Sequence, residues 1–348
     1  MIPIRNIYHM LSYSFRILNE QGYKNVATEH FENVADLCAA ILSKGISVQI
    51  KRGLGREYIS QTEALPVLRG KLNINESLQT GSLQRKQLVC TYDDFSVNSR
   101  LNQIIKSTAE LLLKSHISKN RKKELKKLLV FFSDVDSLDL RTVGWNIQYN
   151  RTNQTYRMLI SVCYLVVNGL LQTEENGDTK LMEFLDDQQM CRLYERFILE
   201  FYRREIPKLS ASASQISWQV DDGFDLLLPV MQTDIMLTHK GKVLIIDAKY
   251  YSHTMQVQYG SHKIHSDNLY QIFTYVKNKE TELCGKPHEV SGMLLYAKTD
   301  EMTQPDHIYH MSGNQISVRT LDLDCEFGAI KDQLIQLAKE HFGEEVVS

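Results

Sequence analysis

Two opposite charges close a strongly apolar segment in the second half of the chain. Residues 242–250 read Lys-Val-Leu-Ile-Ile-Asp-Ala-Lys-Tyr, a run typical of a buried central strand, and such a strand does not normally hold an acid and a base. Because side chains alternate across a strand, Asp247 and Lys249 are expected on one face, with Ala248 on the other. The pattern predicts that an acid and a base face one pocket.

A second carboxylate precedes this strand. Asp234 lies in the segment Gln232-Thr-Asp-Ile-Met-Leu237, and a hairpin between the two segments can bring it beside Asp247. Adjacent carboxylates repel each other unless a cation separates them, and hard oxygen ligands with room for water suit Mg²⁺. The cation would neutralise phosphate charge and lower the pKa of a bound water, while Lys249 would orient or deprotonate that water or stabilise the phosphate. An Asp–Lys ion pair at a strand end is the alternative, since a short D…DxK pattern also arises by chance.

Two helical segments carry further polar residues at suitable spacing. Glu195 lies at the margin of the apolar stripe of a predicted helix, from which it could reach the metal site as a ligand. Asn268, Gln271 and Tyr275 share a polar side of a second helix at helical spacing, where an amide and a phenol suit contacts with phosphate or water. The alternatives are an ordinary surface glutamate and a hydrogen bond on a helix surface.

The elements around these residues follow an order that indicates an α/β arrangement with a mixed sheet flanked by helices. Predicted in chain order are a helix over 188–204, strands near 215–220, 230–238 and 242–250, a helix over 266–280, a strand over 290–297, strands near 306–320 and a helix over 325–341. The hairpin between the second and third strands carries Asp234 and Asp247.

The first half of the chain mixes helical and strand patterns. Helices are predicted over 5–18, 33–43, 99–116, 120–132 and 154–171, and β segments within 46–92, among them Val48–Ile50 and Leu88–Cys90. The polar, glycine-containing segment 172–179 is the predicted linker. We therefore expect a mixed α+β N-terminal domain over 1–171 and an α/β domain over 180–348.

Composition limits the classes of function. The 348 residues carry 40 Lys and Arg against 42 Asp and Glu, a net charge of −2, so any grip on nucleic acid must be local or supplied by a partner. The one dense basic run, Lys119–Lys127, is typical of a solvated helix face. The six cysteines show no zinc or disulfide spacing, and no apolar run suits a membrane helix or signal peptide, so a cytosolic location is expected.

Taken together, Glu195, Asp234, Asp247-Ala-Lys249 and the Gln271…Tyr275 pair resemble the PD-(D/E)XK nuclease superfamily, with the QxxxY helix of its RecB-like branch. More narrowly, the chain resembles the McrC family, the nuclease subunits of McrBC modification-dependent restriction systems. The phrases that carry this likeness are Ile4-Arg-Asn-Ile-Tyr8, Arg69-Gly-Lys71, Asn102-Gln-Ile-Ile-Lys-Ser-Thr108, Ile160-Ser-Val-Cys163, Thr233-Asp-Ile235, Ile246-Asp-Ala-Lys-Tyr-Tyr251 and Lys263-Ile-His-Ser-Asp-Asn-Leu-Tyr-Gln271. Thr233 stands where the superfamily name has proline, which is not a ligand.

The resemblance implies a type IV restriction endonuclease subunit that cuts double-stranded DNA with Mg²⁺, held by Asp234, Asp247 and Glu195. It also implies a division of labour, in which a separate AAA+ GTPase, McrB, binds DNA with modified cytosines, and its GTPase is stimulated by the nuclease subunit. The chain has no GxxxxGK[ST] P-loop, which fits GTP use by the partner. A non-catalytic adaptor that organises the GTPase is the alternative from another class, and a nuclease directed at RNA or single strands is a third possibility.

The N-terminal domain is expected to dock the GTPase, because its residues form no catalytic constellation. Its basic, hairpin-like stretch Gln79–Lys86 is of a kind that can project from a rigid body. Arg85 in that stretch could meet acidic groups or nucleotide phosphates of the partner, although a plain solvated turn is an equally good interpretation.

Overall fold

The computed structural model describes residues 2–15, 18, 29, 31, 33–151, 153–175, 187–251, 256–258 and 261–347. The chain forms two compact units, one of residues 1–28 with 185–348 and one of residues 29–184. The first helix thus groups with the second half of the chain, whereas the sequence pattern predicts an N-terminal domain that begins at residue 1. Of the expected linker, residues 172–175 end a helix and residues 176–179 lie outside the described residues.

The described helices and strands follow the predicted order in the second half and depart from it in the first. The α-helices are α1 (Ile4–Ser14), α2 (Val34–Arg52), α3 (Ile74–Gln79), α4 (Arg100–Lys114), α5 (Lys119–Leu129), α6 (Arg157–Glu175), α7 (Asp187–Glu205), α8 (Ser266–Glu282) and α9 (Phe327–Phe342). The strands are β1 (Glu57–Leu65), β2 (Lys71–Leu72), β3 (Leu88–Ser96), β4 (Ser210–Ser212), β5 (Gln215–Ile216), β6 (Met231–Gln232), β7 (Ile235–His239), β8 (Lys242–Lys249), β9 (Gln256–Gln258), β10 (Ser261–Lys263), β11 (Glu289–Ala297), β12 (His307–Met311) and β13 (Asn314–Leu321).

The first unit is built on a mixed six-stranded sheet in the order β12-β13-β11-β8-β7-β4, as the α/β prediction expects. Strand β11 runs parallel to both of its neighbours, β8 and β13, and the other pairs are antiparallel. Because β8 has a neighbour on each side and its six middle residues are buried, its apolar run is that of a central strand.

Helix α8 covers one face of this sheet. Its buried Ile272 and Val276 share a core with Val243 and Ile245 of β8. Gly292 of β11 allows this close approach, since a Cβ built there would lie 2.7 Å from Ile272 Cγ1 and 2.9 Å from Val276 Cγ2. The side chains that alternate with this core point to the other face.

Helix α1 is tied to the second half of the chain by specific contacts. The amide of Asn6, buried in α1, donates to the carbonyls of Leu323 and Cys325 at 2.9 and 2.8 Å. Arg204 of α7 donates to the carbonyl of Ser12 at 3.1 Å. These bonds satisfy buried polar groups, which explains physically why the first helix belongs to this unit.

The second unit combines helices with a small antiparallel sheet, β1-β3-β2, in agreement with a mixed α+β content. Two local predictions were wrong. Val48–Ile50 lies inside α2 and is not a strand. The stretch Gln79–Lys86 is not hairpin-like: it ends α3 and continues as a 3-10 turn over Ser82–Arg85, with left-handed backbone at Gly81 and Lys86.

Candidate functional site

The two aspartates face each other across the β7–β8 hairpin. Ile235 pairs with Ile246 and His239 with Lys242, so the same register, continued by one residue, sets Asp234 opposite Asp247. Residues opposite each other in an antiparallel pair share a face of the sheet. A side chain extends the hydrogen bonding between β7 and β8 at this point, because the backbone N–H of Ala248 donates to Asp234 Oδ2 at 3.0 Å.

Asp247 and Lys249 lie side by side at the end of β8. Lys249 Nζ is 2.9 Å from Asp247 Oδ2. The side chain of Lys249 is only 14% exposed and that of Asp247 only 3%. Burial raises the pKa of Asp247 to about 7, and the nearby Asp234 adds to the rise, while Lys249 opposes it. Burial alone would lower the pKa of Lys249, but the adjacent Asp247 reverses this and the net shift is upward.

A chain of hydrogen bonds links this pair to α8. Lys249 Nζ donates to Gln271 Oε1 at 3.3 Å, and Gln271 Nε2 donates to the Tyr275 hydroxyl at 3.0 Å. Tyr275 in turn donates to the carbonyl of Gln232 at 3.2 Å, two residues before Asp234. The QxxxY pair therefore spans from the lysine at one strand end to the backbone that holds the first aspartate.

Glu195 lies on α7 within electrostatic range of the same group. Burial raises its pKa, and the charge of Asp234 raises it further, whereas Lys249 acts in the opposite direction. The thiol of Cys191, one helical turn earlier, donates to Glu195 Oε1 at 3.1 Å. Cys191 lacks metal-ligand spacing in the sequence, but its separation of four residues from Glu195 on a helix indicates this contact.

A second layer of polar residues supports the site from α8 and β11, and of these Asn268 was predicted on the polar side of its helix whereas Tyr296 was not. The buried Asn268 donates to the hydroxyl of Tyr296 at 2.9 Å and accepts from the hydroxyl of Tyr251 at 3.3 Å. Tyr296 pairs in register with Lys249 on the neighbouring strand, and burial raises its pKa to about 12. A phenol that stays neutral at pH 7 fixes the orientation of these side chains without adding charge.

The donor set fits Mg²⁺, although the chain does not present a complete cage. Within the described ranges, no three His, Cys, Asp or Glu side chains form a group arranged to hold a metal. Mg²⁺ needs only one or two carboxylates, with waters and substrate phosphates as the other ligands. Asp247 Oδ2 is buried and pairs with Lys249 Nζ at 2.9 Å. Because a carboxylate oxygen has more than one lone pair, it can also bind a cation.

The chain belongs to the family of McrBC 5-methylcytosine restriction system components, whose model matches residues 5–297. It is 29% identical over 347 residues to the type IV methyl-directed restriction enzyme EcoKMcrBC of Escherichia coli K12, and the match covers 98% of each chain. The matched region includes every site residue named above.

Two structures of assemblies from Thermococcus gammatolerans were also found. One is a half-complex of McrB AAA+ hexamers with bound McrC, with a TM-score of 0.49 and 17% identity over 94% of this chain and 75% of that one. The other is a McrBC complex, with a TM-score of 0.40 and 19% identity over 58% of each chain. In the described part of this chain, no helix has the length and apolarity needed to cross a membrane.

Proposed function

We propose that this chain is the endonuclease subunit of a type IV restriction complex and that its centre is a PD-(D/E)XK site. The observation that carries the proposal is the convergence of Asp234, Asp247 and Lys249 at one end of the hairpin, with Lys249 bonded to Gln271. The family membership supports the same assignment. The substrate is double-stranded DNA, and the reaction is hydrolysis of a phosphodiester bond by water.

Each residue has a distinct part in this reaction. Asp247 and Asp234 would hold the cation, and Glu195 would contribute a ligand or a water contact from α7. When bound, Mg²⁺ supplies charge neutralisation on the phosphate and a water of lowered pKa. Lys249 donates to the attacking water or to a phosphate oxygen, because its ammonium is charged and held by two partners. Gln271 and Tyr275 set the position of Lys249.

Modification-directed cutting and use of GTP are assigned to a separate AAA+ GTPase, because the chain belongs to the McrBC family of restriction system components and its sequence contains no P-loop. The second unit offers a surface for such a partner. Around its small sheet, several large apolar side chains are more than half exposed: Val67, Leu68, Ile74 and Leu78. Exposed apolar patches mark interaction sites, so this unit is assigned the docking and stimulation of the GTPase.

The test is a nicking assay on plasmid DNA with modified cytosines, in Mg²⁺ and GTP, with and without the partner GTPase. Asp247→Ala and Lys249→Ala should abolish cleavage while partner binding stays unchanged, because the pair serves the metal site. Lys298→Ala is the matched control, since Lys298 also pairs with an aspartate, Asp322, but is half exposed. Full cleavage by either site variant would refute the assignment.

Outer positions and metal binding are tested separately. Glu195→Ala and Gln271→Ala should lower the nicking rate by about tenfold to a thousandfold, because contacts around a metal tune it more than they create it. Asp234→Asn should weaken the binding of Mg²⁺ or Mn²⁺ measured by calorimetry. Unchanged metal binding would favour a plain ion pair. GTPase stimulation by a wild-type chain that never cuts DNA would favour the adaptor alternative.

A further inference from the structure

One face of α5 in the second unit is lined by like charges. Lys119, Lys122, Lys123, Lys126 and Lys127 recur at spacings of three and four residues, so they share one side of the helix. Together with Val130 they line a single open groove. The helix holds six basic side chains against one acidic, a net charge of +5, whereas the whole chain is at −2, so the remainder carries −7.

These ammonium groups lack partners in the part of the chain that the structure describes. None of the five lysine side chains forms an ion pair or a hydrogen bond there. The single acid of the helix, Glu124, pairs with Arg121 at 2.9 Å instead of with a lysine. Ordinary solvated helix faces mix both signs of charge, because like charges three and four residues apart destabilise the helix. Three of the lysines also lie in its N-terminal half, where the helix dipole disfavours cations.

The opposite side of α5 holds the helix in place. Leu125 is fully buried, and Arg121 forms a second ion pair, with Glu29. Ser118 caps the helix with its hydroxyl, while its own N–H donates to Asp36 Oδ1 at 3.0 Å. The lysine face is therefore presented on a rigid element with a fixed spacing of charges.

We propose that this lysine face of α5 binds the phosphate backbone of duplex DNA. The occupant must be a polyanion with regularly spaced charges, and DNA carries one charge per strand about every 3.4 Å. From Lys119 to Lys127 the helix rises about 12 Å, enough to follow three or four successive phosphates. An anionic membrane fits less well, because membrane-surface helices insert an apolar face, whereas Leu125 of α5 is buried and the exposed Val130 and Phe131 lie beyond the end of the helix.

The face carries no base-reading groups, so its contribution is independent of sequence and modification. The proposal for α5 rests on the proposed function only in taking DNA as the polyanion that binds there. A grip of this kind in the second unit would retain the duplex while the partner GTPase acts on it. A local basic face also explains how a chain of net negative charge can bind DNA, because the electrostatic attraction is concentrated on one helix.

The experiment measures binding of the full chain to a fluorescent unmodified duplex by anisotropy, in EDTA so that no cutting occurs, over a range of salt concentrations. The variant is Lys123→Gln/Lys126→Gln/Lys127→Gln, and the control is Lys51→Gln/Lys114→Gln/Lys286→Gln, which removes the same charge from exposed positions elsewhere. We expect the α5 variant to bind about ten- to a hundredfold more weakly near 0.1 M salt, with the slope of log K against log salt reduced by about 2.7. The control should retain the wild-type slope.

Equal affinity and slope for the two triple variants would overturn the proposal, as would no duplex binding by the wild-type chain. Lysine-dependent binding to phosphatidylserine vesicles without binding to the duplex would also overturn it, in favour of a membrane. Circular dichroism confirms that each variant is folded. The plasmid nicking assay, run in parallel, separates the two proposals. If the wild-type chain never cuts but the α5 variant binds the duplex more weakly, only the proposed nuclease function is refuted. If the wild-type chain cuts and the α5 variant binds the duplex as tightly as wild type, only the proposed role of the α5 face is refuted.

Discussion

Gly292→Ala tests whether the packing of α8 on the sheet positions the candidate site. The added Cβ would lie 2.7 Å from Ile272 Cγ1 and 2.9 Å from Val276 Cγ2, whereas carbon atoms pack at about 3.5–4.0 Å. Both neighbours are fully buried, so they have no open space to enter. The helix must move by about 1 Å, or the side chains must leave their rotamers, at a cost of about 1–3 kcal/mol.

The same displacement should reach the chemistry. Gln271 immediately precedes Ile272 on α8, and its contact with Lys249 Nζ is already long at 3.3 Å. A shift of about 1 Å breaks this bond, and a misplacement of that size costs about a hundredfold in rate. We therefore expect Gly292→Ala to lower both the free energy of unfolding, measured in urea, and the rate of plasmid nicking.

Gly328→Ala is the matched control, because Gly328 is a helical glycine of α9 whose added Cβ would meet nothing within 4 Å. It should leave nicking unchanged and stability equal or higher by up to about 1 kcal/mol. Ile272→Ala in the Gly292→Ala background should give less than the sum of the single losses, since it removes the clashing atom. A wild-type unfolding midpoint and nicking rate for Gly292→Ala would refute the reasoning.

Two further predictions concern polar contacts around the sheet. Asn268→Ala should lower the free energy of unfolding in urea by about 1–3 kcal/mol, because it leaves the buried Tyr296 hydroxyl without its partner; a further Tyr296→Phe should recover part of the loss, and no recovery would contradict this cause. Burial alone would raise the pKa of Glu205, but its hydrogen bonds with Tyr13 and Lys331 make the net shift downward. Its contribution to the free energy of unfolding is therefore present above the pKa of the unfolded state and is lost as the pH falls through the pKa of the folded state. Glu205→Gln should accordingly reduce the unfolding free energy at pH 7, with a difference from wild type that shrinks in acid; a difference independent of pH would argue against the ionised contact.

The central hairpin could be predicted from sequence because its signal is local. The apolar run of β8 and the alternation of side chains along it predict that Asp247 and Lys249 share a face, and the register bears this out. The spacing of Gln271 and Tyr275 on a helix likewise predicts their contact. Each of these inferences needs only the period of one element or the reach of one hairpin.

Other features depend on tertiary packing and could not be read from local patterns. Val48–Ile50 has the β-branched residues of a strand, yet it continues α2, since burial of that helix in the unit outweighs β propensity. The contact of Asn268 with Tyr296 joins residues 28 positions apart in α8 and β11. The placement of α1 with the second half depends on bonds from Asn6 to carbonyls more than 300 positions away.

Two Asp–Lys pairs at strand ends of the same sheet, Asp322 with Lys298 and Asp247 with Lys249, differ in how far water reaches their charges. Lys298 and Asp322 are 47% and 30% exposed, so water solvates them and their pairing contributes little to stability. Asp247 and Lys249 have almost no exposure, and burial raises the pKa of Asp247 to about 7, which means that the folded chain holds its carboxylate at an energetic cost. Apolar residues at the same two positions would extend the core of β8 without that cost. The stability of the sheet therefore gives no reason for an acid and a base at these positions, whereas the proposed binding of a cation and a phosphate uses both.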